Sequence, residues 1–137
     1  MAVPTWNGQK EAKEFTKAPG TGKPKPKGSA KKAVNVLAIA DHRCEFDKTD
    51  RVFARKNGVG YTEPHHLILI SKHDDFDYSL DVEENIVSLC SHCHNLLHYG
   101  RKEDKKPILI KLLNDRKDAL RKVGLEIDLD RLMEYYK

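Results

Sequence analysis

Five side chains able to bind a metal fall within nine residues, "CSHCHNLLH": Cys90, His92, Cys93, His94 and His98. So dense a run of thiols and imidazoles ties the surrounding fold to whatever those groups bind. The chain has 137 residues, 34% of them charged and 39% hydrophobic. That is room for one compact domain with much surface for its volume, the kind that often needs a metal or disulfides to complete its stability. The cysteines are three, Cys44, Cys90 and Cys93. An odd count excludes a full disulfide framework and favours a reducing, cytoplasmic setting. No stretch is apolar for long enough to span a bilayer, and the N-terminus lacks the apolar centre of a signal peptide, so no membrane role is expected.

The net charge of +4 is unevenly spread. Residues 1–32 hold eight lysines and two glutamates, a net of +6, which leaves −2 for the rest. "KAPGTGKPKPKGSAKK" has almost no large apolar residue and cannot bury enough surface to fold alone. Residues 1–30 therefore read as an extended or disordered basic arm or linker, with Trp6 and Phe15 as docking points. Residues 31–137 read as one domain. Such an arm suits phosphate backbones, and equally a solubilising tail.

Within the domain, Val34, Leu37, Ala38 and Ala40 predict a short helix that delivers the chain to Cys44. "RVFARKNGVGYTEPHHLILIS" predicts two strands around a turn at Asn57–Gly58, with Pro64 starting the second strand late or placing it at an edge. "KHDDFDYSLDVEE" reads as a loop, "NIVSLC" as a short strand and "SHCHNLLHYG" as a helix stopped by Gly100. "PILIKLLNDRKDALRKVG" predicts an amphipathic helix with Pro107 near its start, an apolar set of Ile108, Ile110, Leu112, Leu113 and Leu120, and Gly124 as its stop. A last helix, capped by Asp128 or Asp130, places the C-terminal helices over 105–136.

Three chemistries compete for the opening stretch. Cys90-x-x-Cys93-His94 fits a haem attachment pattern, but that motif is short and goes with export. Cys90 and Cys93 also form half of a thiolate zinc knuckle. Cys44 is the one remaining thiol, and Asp47 or Asp50 can add a carboxylate, with His42 and His92 as lesser candidates. A structural zinc site of Cys44, Cys90, Cys93 and one of the two aspartates is expected. His94 and His98, four apart, share a helix face with Cβ atoms about 6 Å apart. Cys93 points about 100° away from His94, so one helix can serve two metal sites. His65 and His66 are adjacent and face opposite sides of a strand, so one can ligate a metal while the other faces a substrate.

Together, "CEFDKTDRVFARKNGVGYTEPHHLILIS" and "LDVEENIVSLCSHCHNLLHYGR" resemble the HNH endonucleases. The pattern is most similar to the HNH domains of modified-cytosine restriction enzymes and related phage or mobile-element proteins, and more distantly to DNase bacteriocins. The motif core is residues 44–101. The resemblance implies an α+β, ββα-metal (His-Me finger) fold with a zinc knuckle and added C-terminal helices. It implies His65, His94 and His98 as ligands of a catalytic divalent ion, His66 as general base, and Asn85 as the residue that pins the hairpin. On spacing alone, Asn85 reads equally as a turn asparagine. Relatives often have cysteine where Asp47 stands, histidine where Asp50 stands, and proline where Leu69 stands.

The implied activity is metal-dependent hydrolysis of DNA phosphodiesters, as an endonuclease or nickase in restriction or phage defence. The ion can be Mn, Ni, Co, Mg or Zn, and three neutral imidazoles hold the first-row metals more tightly than Mg. A neutral histidine can accept a proton near physiological pH. Arg101, Lys102 and the arm lysines can contact the backbone, whereas Arg116, Arg121 and Lys122 read equally as a solvated helix face. A non-catalytic nucleic-acid-binding zinc module and an RNase are the alternatives. No helix carries an evident set for base readout, so a separate specificity domain or a homodimer can supply selectivity.

Overall fold

The computed structural model describes residues 6–17 and 24–137. The described residues form two short antiparallel sheets and four α-helices. The first sheet pairs β1 (Phe15–Lys17) with β2 (Pro24–Pro26). Helix α1 (Ala30–Ile39) follows, its N-terminus capped by the Ser29 hydroxyl, which accepts from the Lys32 amide at 3.4 Å. That cap starts the helix four residues before the first apolar position of the sequence pattern. Asp41 and His42 both take φ of 54° and turn the chain back toward Cys44.

The second sheet pairs β3 (Glu63–His66) with β4 (Ile86–Leu89), with His65 opposite Val87 and His66 opposite Ile86. Helix α2 (Ser91–Tyr99) leaves β4 through Cys90, whose sulfur accepts from the Cys93 amide at 3.4 Å. Gly100 ends it, because a Cβ there would meet the Leu96 carbonyl at 2.6 Å. Thus β3, β4 and α2 form a ββα unit. Ile86 and Val87 are β-branched, and all four β4 residues are buried, which favours an extended strand at the centre of the fold.

The expected strand before the Asn57–Gly58 turn does not form. Residues 51–60 make an isolated bridge, Ala54 opposite Gly60, closed by Arg55 N–H to Val59 O at 2.7 Å and Tyr61 N–H to Phe53 O at 2.8 Å. The turn itself is present, with Gly58 at φ 86° and the Asn57 Oδ1 accepting from the Val59 amide at 3.0 Å. Residues 53–58 are all exposed, so neither face has a core to pack against and the ladder stops at one rung. The strand that pairs with the histidine pair is therefore β4. Pro64 sits on the edge strand of a two-stranded sheet, where its missing N–H costs little.

Helix α3 (Lys102–Lys122) begins before the position read from Pro107, which lies inside it. Pro107 is exposed, and so is Glu103, whose carbonyl loses its helical donor; water can fill that place. Glu103 and Asp104 in the first turn complement the positive end of the helix dipole. The buried stripe is Lys105, Ile108, Leu109, Leu112, Leu113, Arg116 and Leu120. Ile110 faces out and Leu109 faces in, as the 3.6-residue period requires. Each such leucine contributes about 2 kcal/mol by burial. Gly124, at φ 79°, ends the helix, and Leu125 N–H returns to Leu120 O at 2.9 Å. Helix α4 (Leu129–Tyr135) is capped by Asp128, whose Oδ1 accepts from the Arg131 amide at 2.8 Å.

Arg116 is no solvated residue. It is 2% exposed, its Nη2 grips both Glu45 oxygens at 2.8 and 3.0 Å, and its Nη1 donates to the Glu83 and Glu84 carbonyls. Trp6 lies over its guanidinium at 4.2 Å, and Glu84 Oε2 accepts from the Gly8 amide. Residues 6–11 thus rest on the body at Arg116, Glu84 and Ser79, whose amide donates to Glu11 O. No helix among the described residues is long and apolar enough to cross a membrane.

Candidate active site

His65 on β3 and His94 and His98 on α2 offer one ring nitrogen each within 4.8 Å of one another. The ring centroids stand 4.8–5.1 Å apart, and Nε2 of His98 lies 3.1 Å from Nε2 of His94. A tetrahedral ion with Zn–N near 2.0–2.1 Å sets nitrogen–nitrogen edges of roughly 3.3 Å, so this spacing fits one shared ion. The i, i+4 pair comes from the turn of α2, and the third imidazole from the antiparallel register that lays β3 against the strand feeding α2.

Hydrogen bonds fix which nitrogens carry lone pairs. Glu63 Oε1 accepts from His94 Nδ1–H at 2.8 Å, leaving Nε2 of His94 as a lone pair. Tyr136 donates its hydroxyl proton to the Leu67 carbonyl at 2.6 Å, so its oxygen accepts from His65 Nε2–H at 2.6 Å. That leaves Nδ1 of His65 free to ligate. Burial pushes the His65 pKa down to about 3, with further lowering from the neighbouring His94, His98 and His66. His98 is also lowered, first by burial. Both shifts favour the neutral ring, the form a metal needs. Glu63 is held below the usual carboxylate range, first by the Tyr61 hydroxyl and then by His94.

His66 is not among the three clustered residues. Its Nε2 donates to Asp81 Oδ1 at 2.9 Å, since an ionised carboxylate can only accept. In the neutral ring, Nδ1 then bears the lone pair. Asn85 is fully buried and spends its amide on the backbone around the pair. It accepts from Ile68 N–H at 2.8 Å and donates to Ile68 O at 3.1 Å and Leu80 O at 2.9 Å. This fixes the chain just after His66 to the loop that carries Asp81. Removing such a group strands three buried partners, each costing about 1–3 kcal/mol.

A second cluster joins Cys44, Asp50, Cys90 and Cys93, again with ligand atoms within 4.8 Å. Asp50 Oδ2 lies 3.4 Å from Cys90 Sγ and 3.3 Å from Cys93 Sγ. Tetrahedral zinc with one oxygen and three sulfurs sets such edges near 3.6 Å by the usual bond lengths. The Cys93 thiol lowers Cys44 to about 6, while burial raises Cys90 to about 11. Sharing its proton with Cys44 pushes Cys93 up. Four acidic donors in one buried spot, with no disulfide, suit a divalent cation.

The sequence-derived residues thus fall into two groups. Asp50 joins the thiols, whereas Asp47 is exposed and accepts from the Thr49 amide and hydroxyl at 2.9 and 2.6 Å. His42 and His92 belong to neither group. The haem pattern is divided: Cys90 and Cys93 face Asp50 and His94 faces His65. Three residues escape the sequence reading. Glu63 had a signal, since it lies two before His65 on the same strand face. Asp81 and Tyr136 come from distant segments and carry none.

Residues 43–100 match the family model described as HNH endonuclease. Proteins of this family hydrolyse nucleic acid with a divalent metal. Neither curated proteins nor solved structures gave a match.

Proposed function

We propose that this chain is a metal-dependent DNA endonuclease or nickase, hydrolysing phosphodiesters at one divalent ion held by His65, His94 and His98. The observation that carries the reading is the convergence of three imidazoles, with a fourth, His66, hydrogen-bonded to Asp81 outside that set. An ion bound by the three would offset charge growing on the phosphate and on the leaving 3′ oxygen. Nδ1 of His66 takes a proton from the attacking water, and Asp81 stabilises the imidazolium that results. Glu63 and Tyr136 hold two of the ligand rings in the required tautomers. Asn85 keeps the His66 backbone in place. The donor set favours Mn, Ni, Co or Zn over Mg in affinity.

Cys44, Asp50, Cys90 and Cys93 are assigned a structural zinc, which would fasten the 44–50 loop to the start of α2. The exposed lysines and arginines supply attraction to the DNA backbone.

The test is cleavage of supercoiled plasmid with Mn²⁺, Ni²⁺ or Mg²⁺ by the full chain and by His66→Ala, with an RNA transcript in parallel. Nicked or linear DNA is expected with at least one ion, and His66→Ala is expected to be about 100-fold slower or worse. Equal rates for the two proteins would overturn the assignment, and cleavage of RNA alone would replace the substrate.

A further inference from the structure

The turn at residues 51–60, which forms no strand, carries an unusual surface. Phe53 is 62% exposed and stacks on Tyr61, with centroids 4.6 Å apart and planes 16° from parallel. The Arg55 guanidinium lies 4.9 Å from the centroid of the same Tyr61 ring. Tyr61 covers one face of Phe53, and the residue as a whole stays exposed. The turn also exposes Arg51, Arg55 and Lys56. None of these three makes an ion pair among the described residues. The surface is wired to the candidate metal site. Tyr61 donates its hydroxyl to Glu63 Oε2 at 2.6 Å, and Glu63 Oε1 accepts from His94 at 2.8 Å.

Phe53, at the base of the turn, stacks on Tyr61 and still leaves most of its surface to water. Beside three unpaired cations it has the chemistry of a base-stacking platform flanked by phosphate contacts. In a duplex, base faces are covered by their neighbours, so only an unpaired or unstacked base can offer its face to Phe53. We propose that residues 51–61 bind an unpaired base of a DNA strand next to the cleavage site. The substrate is then DNA with single-stranded character: a flap, gap, bubble or free strand. This deepens the nuclease reading and rests on it for the location of the cut, while the stacking itself is measurable without cleavage.

The probe is a 20-nucleotide single-stranded oligodeoxynucleotide containing 2-aminopurine, alone or annealed to its complement. It is titrated with the full chain as purified, without added divalent ion, and strand integrity is checked on a denaturing gel. Tighter binding of the single strand than of the duplex is expected, with a change in 2-aminopurine emission on binding. Phe53→Ala is expected to weaken single-strand binding about 5- to 100-fold. Phe53→Trp should restore it, and Phe15→Ala, at another exposed aromatic, should leave it unchanged. Arg55→Ala should reduce the salt slope of binding by about 0.7 for each phosphate that the arginine neutralises.

Equal affinity of wild type and Phe53→Ala, with unaltered circular dichroism, would overturn the proposal. So would duplex binding as tight as single-strand binding, or tighter binding of an RNA strand of the same sequence. If plasmid is cut while Phe53→Ala binds normally, the platform fails and the nuclease reading stands. If stacking depends on Phe53 but no ion supports cleavage, the nuclease reading fails instead.

Discussion

Glu63 accepts a hydrogen bond from Nδ1 of His94 at 2.8 Å, across 31 positions of sequence. The bond fixes the tautomer that frees Nε2 and raises the basicity of the ring. Partners of this kind typically account for 10- to 100-fold in metal affinity. Glu63→Gln is expected to weaken binding of Mn²⁺ or Ni²⁺ by about that factor while leaving the thermal midpoint within a few degrees. Calorimetric titration of the variant checks this.

Asp81 stands to His66 as Glu63 stands to His94. Its carboxylate is almost buried and lies 2.9 Å from the ring. Asp81→Asn keeps the shape and removes the charge that favours an imidazolium. It is expected to lower kcat about 10- to 1000-fold with little change in KM or in metal affinity. A parallel loss of metal binding would place Asp81 in the ligand set instead.

The two aspartates near Cys44 make a sharp contrast. Asp50 lies against Cys90 and Cys93, while Asp47 faces solvent and closes a local turn. Asp50→Ala is expected to reduce bound zinc below one equivalent and to cost about 3 kcal/mol or more, because metal binding and folding are coupled. Asp47→Ala is expected to hold zinc normally and to change stability by about 0.5 kcal/mol or less. Elemental analysis and urea unfolding of the two variants separate them.

His65 sets a pH dependence. Its folded pKa is pushed down to about 3 by burial, against roughly 6.5 in an unfolded chain. Above 6.5 neither state is protonated and the full stability is present. As pH falls from 6.5 toward 3, the unfolded chain gains a proton that the native chain refuses, so stability drops. The slope is about 1.4 kcal/mol per pH unit, at most about 5 kcal/mol in all. Urea midpoints for the metal-free wild type should fall across this window, and His65→Gln should flatten the profile.

Much of the site is legible in local sequence because its chemistry is periodic. His94 and His98 are one helical turn apart, Cys90 and Cys93 straddle a helix start, and Gly100 and Gly124 stop their helices where written. The strand expected at residues 51–56 is absent because its β-rich pattern lacks a surface to bury. Pairing of β3 with β4 is a contact between distant segments, which alternation alone does not specify. Pro107 misleads because proline tolerates an exposed position inside a helix when water can serve the freed carbonyl. Asp81 and Tyr136 are invisible because nothing in their neighbourhoods marks them; each acquires its role only when the chain brings it to a histidine. Asp50 and Asp47 are indistinguishable by spacing and are separated by the fold of the 44–50 loop.

The central claim is that His65, His94 and His98 share one divalent ion and His66 does not. It is tested by calorimetric titration of Ni²⁺ into the full chain and into four variants, each with one of these histidines changed to alanine. The account expects one site of high affinity beyond the structural zinc. His65→Ala, His94→Ala and His98→Ala should each lose at least about 10-fold in affinity, and His66→Ala should bind as the wild type does. Undiminished binding by His65→Ala, or a loss in His66→Ala as large as in the other three, would contradict it.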